Sequence, residues 1–314
     1  MPHTDRPVLP TGEQHEIRHG DQTAVVTEVG AGLRSYRVGS SETLDTYAAD
    51  EMPTGGRGQV LLPWPNRIAD GCFDFGGRSY ELPRNEPDRG NAIHGLTRDL
   101  EWKLEAHEDH LVRQSLRLED GGWPGVLELR IEHRLDAGGL AVVVSATNRA
   151  DEVVPVGYGA HPYLRFDPSG GTTLTVPAQR YLVTDRRLLP VRVDDVAGSD
   201  VDLQSGRPLG RILLDTAFTG LRASEGRWCV ILSGASRRVE LWGQASELPW
   251  VQVFTPVDGG RVALEPMSCA ADAVRPGPTH SDLKLVAPGA SASFHWGIRA
   301  RSGGEASPKV EIKP

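Results

Sequence analysis

The chain is predicted to be all-β, an antiparallel sandwich of large twisted sheets. Three observations carry that expectation. Apolar and polar residues alternate with a period of two in many segments. Long apolar stripes at helical spacing are nearly absent. The 36 Gly and 23 Pro fall mostly between the alternating runs, where turns belong.

The clearest strand is predicted over residues 126–135. Leu127, Leu129, Ile131, His133 and Leu135 point one way, and Glu128, Arg130, Glu132 and Arg134 the other. That is the pattern of a strand with one face in the core. Asp136-Ala137-Gly138-Gly139 then supplies hairpin chemistry before a second strand over residues 140–146. Ala292, Phe294, Trp296 and Ile298 repeat the alternation near the C-terminus. Further strands are expected over residues 23–29, 33–38, 111–118, 227–232, 237–242, 250–255 and 261–265.

A length of 314 residues allows one large all-β domain or two ordinary ones. No internal repeat or clear linker is visible, and the polar run at residues 194–200 reads equally well as a surface loop. The expected organisation is a polar N-terminal segment over residues 1–20, a single domain over 21–300 and a mobile tail over 301–314.

Composition narrows the function. Hydrophobic residues at 39% and charged residues at 24% describe a globular chain with a sizeable core. A net charge of −8 argues against a nucleic-acid surface, which needs a basic face. Cys72, Cys229 and Cys269 are odd in number and form no CxxC pair, so neither a disulfide framework nor a structural zinc site is expected. Residues 1–20 lack the apolar core of a signal peptide, and no apolar run reaches membrane-spanning length; a cytoplasmic location with no membrane partner is expected. Gly30-Ala31-Gly32 opens like a nucleotide-binding turn, but Tyr36-Arg37-Val38 continues as strand and the third glycine is missing. His107 and His110 flank Glu108-Asp109 at an expected hairpin tip, which reads as a solvated turn rather than a metal clip. No cofactor and no metal are expected.

The chemistry-bearing stretches are few. In residues 156–166, His161 stands between small residues and aromatics, and Pro162 restricts it to extended backbone at a strand end. Its imidazole suits proton transfer; a core histidine bonded to a carbonyl is the plainer alternative. Gly157 and Gly159 beside it are expected to leave space for a ligand. Pro63-Trp64-Pro65-Asn66-Arg67 is held extended by two prolines and offers an amide and a guanidinium, for a ligand or for tying loops together. His94 precedes Gly95 after a polar loop, and Asp215 follows an apolar run, as a strand-end carboxylate or a turn cap would. Glu265 ends an apolar strand before Pro266, and partly apolar surroundings would raise its pKa towards the range useful to a general base.

Six of these stretches together resemble the aldose 1-epimerase (galactose mutarotase-like) family. They are Pro65-Asn66-Arg67-Ile68 with Gly71 and Phe73, residues 91–95, His161-Pro162-Tyr163, Asp215 with Phe218, residues 251–256, and Leu264-Glu265-Pro266. They follow the family's order over roughly residues 20 to 300. The resemblance implies a β-supersandwich with an open cleft on one concave sheet. It implies Glu265 as general base and His161 as general acid, with Arg67, His94 and Asp215 holding sugar hydroxyls or assisting at the reacting end. Asn66 and Tyr163 join the binding set. An aromatic such as Trp64, Tyr163 or Trp242 would stack on the sugar's apolar face, while Trp242, on an alternating strand, reads at least equally well as a core residue. Leu96, where well-known galactose mutarotases have a second glycine, places the chain nearer a broader branch of the family.

The expected function is therefore interconversion of α and β anomers of a hexose, with a small-molecule sugar as the substrate and the protein a monomer or homodimer. Three alternatives stand beside it. In a hexose-6-phosphate 1-epimerase, Arg89 and Arg98 would receive the phosphate; as solvated surface charges they would not. A glycoside hydrolase or lyase would need Asp215 and Glu265 on opposite sides of one bond. A non-catalytic sugar-binding or sugar-sensing protein would not require a paired acid and base.

Overall fold

Residues 9–210 and 212–302 are described by a computed structural model. Among them the regular structure is antiparallel strand, with two 3-10 turns, Ala69–Gly71 and His280–Asp282, and no α-helix. The strand Leu127–Asp136 buries Leu127, Leu129, Ile131, His133 and Leu135 and shows its charged residues to the other side. It pairs with Gly139–Asn148 through the predicted hairpin, Leu127 opposite Asn148 and Asp136 opposite Gly139. Ser291–Ser302, Arg237–Gln244 and Arg227–Ser233 continue that ladder into a ten-stranded sheet.

A second sheet of eight strands carries the polar residues singled out above. Its strands are Val60–Leu61 (β1), Gly159–Ala160 (β2), Tyr163–Arg165 (β3), Ala178–Thr184 (β4), Pro190–Asp195 (β5), Asp215–Leu221 (β6), Trp250–Phe254 (β7) and Arg261–Met267 (β8). They run in the order β5-β4-β6-β7-β8-β2-β1, and β3 also pairs with β8. Because side chains alternate between faces, Val251 and Val253 of β7 and Val262 and Leu264 of β8 enter the main core with Val230, Leu241 and Phe294 of the ten-stranded sheet. Gln252 and Glu265 point to the opposite face. There Leu182, Ala217, Trp250, Met267 and Ala270 form a smaller apolar cluster. Tyr158 links the layers: it stacks on Phe294 and accepts a hydrogen bond from Trp296 Nε1 at 2.7 Å.

Several boundaries differ from the periodicity. Gln14–His19 forms a strand that pairs with Gln22–Thr27, inside the stretch read as a polar N-terminal segment. The strand expected over residues 23–29 stops at Thr27, because the Thr27 hydroxyl donates to Val29 O and accepts from Gly32 N–H, closing a turn. Asp194 and Asp195 of the proposed loop belong to β5. Arg301 and Ser302 of the expected tail belong to the last strand, and residues 303–314 lie outside the described residues. Strands β4, β5 and β6 carry no clean alternation: their faces are partly exposed at the sheet margin, so burial does not impose a two-residue period.

His133 shows what core position does to a titratable group. It is buried, its Nδ1 has no hydrogen-bond partner, and burial pushes its pKa down to about 3. The unfolded chain binds that proton near pH 6.5 and the folded chain does not. Stability is therefore complete above 6.5 and is lost as pH falls from 6.5 towards 3. Denaturant unfolding is expected to show a loss of about 2 kcal/mol from this group between pH 7 and pH 5. His133→Leu should flatten that part of the curve; an unaltered pH dependence in the variant would show that the side chain titrates freely.

Candidate active site

The register of the eight-stranded sheet assembles the site. Gly159 pairs with Met267 and Tyr163 with Ala263, so His161, in the gap between β2 and β3, takes the position opposite Glu265. Glu265 pairs on its other side with Gln252, which pairs with Ala217. Directly opposed residues share a face, so Ala217, Gln252, Glu265 and His161 form one row across the sheet. Asp215, Phe254, Ala263 and Tyr163 form the next.

These two rows floor a cleft of about 310 Å³, at the small end of ligand pockets. All seven residues expected at the site line it: Glu265, His161, His94, Arg67, Asn66, Asp215 and Tyr163. Gly55, Gly56, Ile93, Arg98, Gln252 and Phe254 complete the wall. Two wider clefts of about 600 and 660 Å³ lie elsewhere, and neither sets a buried acid beside a buried imidazole.

Glu265 is 2% exposed and His161 5%. Glu265 Oε1 lies 3.2 Å from His161 Nε2, while Glu265 Oε2 and His161 Nδ1 have no hydrogen-bond partner. Burial holds Glu265 well above the usual carboxylate range; Asp215 adds to the rise and Arg67 opposes it. Burial pushes His161 down to about 4, with Arg98 pushing the same way. Both shifts favour the uncharged arrangement of carboxyl and imidazole in the empty pocket. Neither group can ionise cheaply away from water unless the other compensates.

His94 faces this pair edge-on, with ring centroids 5.3 Å apart. It follows the short strand Ala92–Ile93, which pairs with Arg67–Ile68. Its Nδ1 accepts the Asn66 backbone N–H at 3.3 Å, which leaves the Nε2 proton as its donor. Burial, then His161, Arg98 and Arg67, keep it uncharged well below the ordinary histidine range. Asn66 and His94 both have positive φ, 58° and 66°. Such backbone persists where its surroundings hold it, and it concentrates at functional sites.

A chain of hydrogen bonds spans the cleft. Arg67 donates to Glu86 from Nε and Nη2 and to Asn66 Oδ1 from Nη1. Asn66 Nδ2 donates to Gln252 Oε1 at 3.3 Å, and Gln252 Nε2 to Asp215 Oδ1 at 2.5 Å. Glu86 and Gln252 carry no expected role from sequence. Gln252 lies in one of the six family-like stretches, so its position was visible and its partner was not. Glu86 sits in a polar loop, where nothing distinguishes it from Glu81 or Asp88. Burial alone would raise the Glu86 pKa; hydrogen bonds from Arg67 and Asn91 outweigh it and hold the carboxylate low.

Three expectations are corrected and one open alternative is decided. Gly157 and Gly159 do not open space for a ligand. A Cβ on Gly157 would lie 2.8 Å from Cys269 Sγ, and one on Gly159 2.7 Å from Pro65 Cβ, so both let the Pro63–Pro65 strap lie flat on the sheet. The glycine that meets the site is Gly56, whose Cβ would fall 2.8 Å from the His161 ring at a φ of +79°. Trp64 is buried against Trp123, and Trp242 lies in the ten-stranded sheet under Arg227, which leaves Tyr163 and Phe254 as the aromatic wall. Arg89 does not line the cleft; it is half exposed and pairs with Glu86, in keeping with the surface-charge alternative. Arg98 is no solvated surface charge; it lines the cleft.

The aldose 1-epimerase family model matches residues 13–299. The uncharacterized protein YihR of Escherichia coli is 28% identical over 285 residues, 89% of this chain and 90% of that one. The galactose mutarotase of Rattus norvegicus is 30% identical over 218 residues, 63% of this chain and 61% of that one. A galactose mutarotase-like protein from Clostridium acetobutylicum shares the fold with a TM-score of 0.81 at 18% identity, covering 91% of this chain and 94% of that one. The fold is that of the galactose mutarotase-like β-sandwiches, and the chain belongs to the aldose 1-epimerase family.

Glu86→Ala breaks the paired guanidinium–carboxylate contact and leaves Arg67 without its anchor. Loss of one partner of such a part-buried pair is expected to cost about 3 kcal/mol, seen as a lowered unfolding midpoint. Sugar affinity measured by calorimetry should fall with it. Unchanged stability would mean that Asn66 alone holds Arg67 in place.

Proposed function

We propose that the protein interconverts the α and β anomers of a hexose, with Glu265 as base and His161 as acid. The carrying observation is the Glu265–His161 contact of 3.2 Å on the cleft floor. Opening a cyclic hemiacetal moves two protons on oxygens bonded to one carbon, so acid and base must converge on neighbouring atoms. Glycoside hydrolysis instead sets two carboxyl groups about 5 Å or more apart, flanking a bond. Here the nearest ionisable partner of Glu265 is an imidazole.

The reaction balances within the pair. The Glu265 carboxylate takes the proton of the anomeric hydroxyl while the His161 imidazolium protonates the ring oxygen. The bond from C1 to the ring oxygen breaks and the C1 carbonyl forms. Rotation about C1–C2 presents the other face. The C5 hydroxyl then attacks C1 and returns its proton to His161, as the Glu265 carboxyl returns its proton to the carbonyl oxygen. The pair holds one proton at every stage, either as carboxylate and imidazolium or as carboxyl and imidazole. Burial favours the uncharged arrangement in the empty cleft. A sugar hydroxyl donating to the Glu265 carboxylate stabilises it and shifts the proton to His161. The His94 Nε2 proton and Arg67 donate to sugar oxygens. Asp215 accepts from the hydroxyls at the open side, and Tyr163 and Phe254 pack on the sugar's apolar face. The small cleft admits one monosaccharide, and its walls hold it in reacting geometry.

Polarimetry on freshly dissolved α-glucose and α-galactose tests the reading. The protein should speed the approach to equilibrium, and Glu265→Gln should lower kcat at least about 100-fold while retaining sugar binding. Near-normal turnover in that variant would overturn the assignment of the base; no acceleration of any aldose by the unaltered protein would leave sugar binding without turnover.

The pH profile follows from the shared proton. Activity requires one proton on the pair, so kcat/KM should stay level as pH falls through 6.5, the ordinary histidine value, and decline only towards about 4. Its alkaline limb should lie well above the carboxylate range, because Glu265 is raised. An acid limb centred at 6.5 would show that His161 titrates alone.

A further inference from the structure

Two guanidinium groups line the cleft, and they differ in what they are bonded to. Arg67 is committed to Glu86 and Asn66. Arg98 forms no salt bridge among the described residues; its hydrogen bond is to the side-chain oxygen of Gln59, from Nη1 at 3.2 Å. Burial draws the Arg98 pKa below its ordinary value; the nearby Asp99 carboxylate opposes the shift but forms no ion pair with the guanidinium. A part-buried cation left with a neutral amide is costly, and an anion offered by a ligand would offset that cost.

The position of Arg98 says which part of a sugar it would meet. The same Gln59 that holds the guanidinium also accepts the His161 backbone N–H, at 3.1 Å through its own carbonyl. Arg98 is thus tied to the residue proposed to protonate the ring oxygen. The ring oxygen of an aldohexopyranose is bonded to C5, and C5 carries C6. A sugar whose ring oxygen is at His161 therefore projects its C6 substituent beside that imidazole, and Arg98 lines the same cleft close enough to His161 to lower its pKa.

The charge count narrows the substituent. Arg98 supplies one unpaired positive charge, Arg67 is already matched by Glu86, and Arg89 lies outside the cleft. A phosphate monoester carries about −1.5 to −2 at pH 7. It would bring excess negative charge into a cleft that already holds the Asp215 carboxylate. We propose that Arg98 is a specificity-determining residue that receives a singly charged acidic group on C6 of the sugar, of the carboxylate or sulfate type, in preference to a neutral C6 hydroxyl or a phosphate. This rests on the mutarotase reading for the orientation of the sugar. Binding of the anion also removes the unbalanced positive charge beside His161, which favours the imidazolium the acid needs.

The experiment compares glucose, glucuronate, glucose 6-sulfate and glucose 6-phosphate, by NMR exchange between anomers for turnover and by calorimetry for binding. Glucuronate or glucose 6-sulfate should exceed glucose at least tenfold in kcat/KM and in affinity, with glucose 6-phosphate below the preferred monoanion. Arg98→Met should reduce that preference at least tenfold, mainly through KM, and Arg98→Lys should retain part of it. Gln59→Glu supplies an internal carboxylate to the guanidinium and should suppress the preference by a second route. Equal or better use of glucose by the unaltered protein overturns the subsite and leaves the mutarotase reading standing. Preference for the phosphate ester overturns the single-charge assignment. Tighter binding of the monoanion with no anomerisation of any sugar supports the subsite and overturns the mutarotase reading. An unchanged preference in both Arg98→Met and Gln59→Glu shows that another residue carries it.

Discussion

A carboxyl group and an imidazole face one another across two strands, out of water, with one proton between them. The Glu265–His161 contact is costly to build. A buried carboxylate or imidazolium standing alone would be strongly disfavoured, so each group is tolerable only because the other can hold the proton. The sheet supplies the contact through register. Gly159 opposite Met267 and Tyr163 opposite Ala263 leave His161 no position except beside Glu265. A slip of one residue in β8 would turn Glu265 into the apolar core and bring Leu264 to the cleft.

The remaining polar side chains are organised to stay fixed near that pair. Glu86, Arg67, Asn66, Gln252 and Asp215 form an ordered series of donors and acceptors running from one wall to the other. A wall built this way keeps its geometry without a ligand, which lowers the ordering cost of binding. Satisfied networks of this kind specify one arrangement, because any member turned away leaves its neighbours unpaired out of water. Gly56 closes against the imidazole from the loop side, where a larger residue would collide with the ring.

Arg98 is the exception to this internal matching. Arg67 and Arg98 are chemically identical and line the same cleft, yet one is matched by a carboxylate and the other by an amide oxygen. In a protein interior the unmatched one is the group whose state depends most on what binds.

The sequence by itself determined the fold class and most of the cleft's chemistry. Period-two alternation is a direct image of one buried face, which is why residues 33–38 and 111–118 were bounded correctly from pattern alone. The seven polar and aromatic residues of the cleft lie at strand ends or beside prolines and glycines, and the resemblance to the aldose 1-epimerase family is what draws them together as one site. What tertiary structure decided was who pairs with whom. That Glu265 meets His161 depends on the register of strands about a hundred residues apart, and that Glu86 anchors Arg67 depends on loop packing. Gly157 and Gly159 show the limit in the other direction: a glycine in sequence marks close approach, but only the folded chain shows whether a ligand or Pro65 fills the space. Local sequence encodes direction and polarity, while burial and pairing are properties of segments brought together from far apart. The ionisation of the central pair is set first by burial and then by the charges that folding brings beside it.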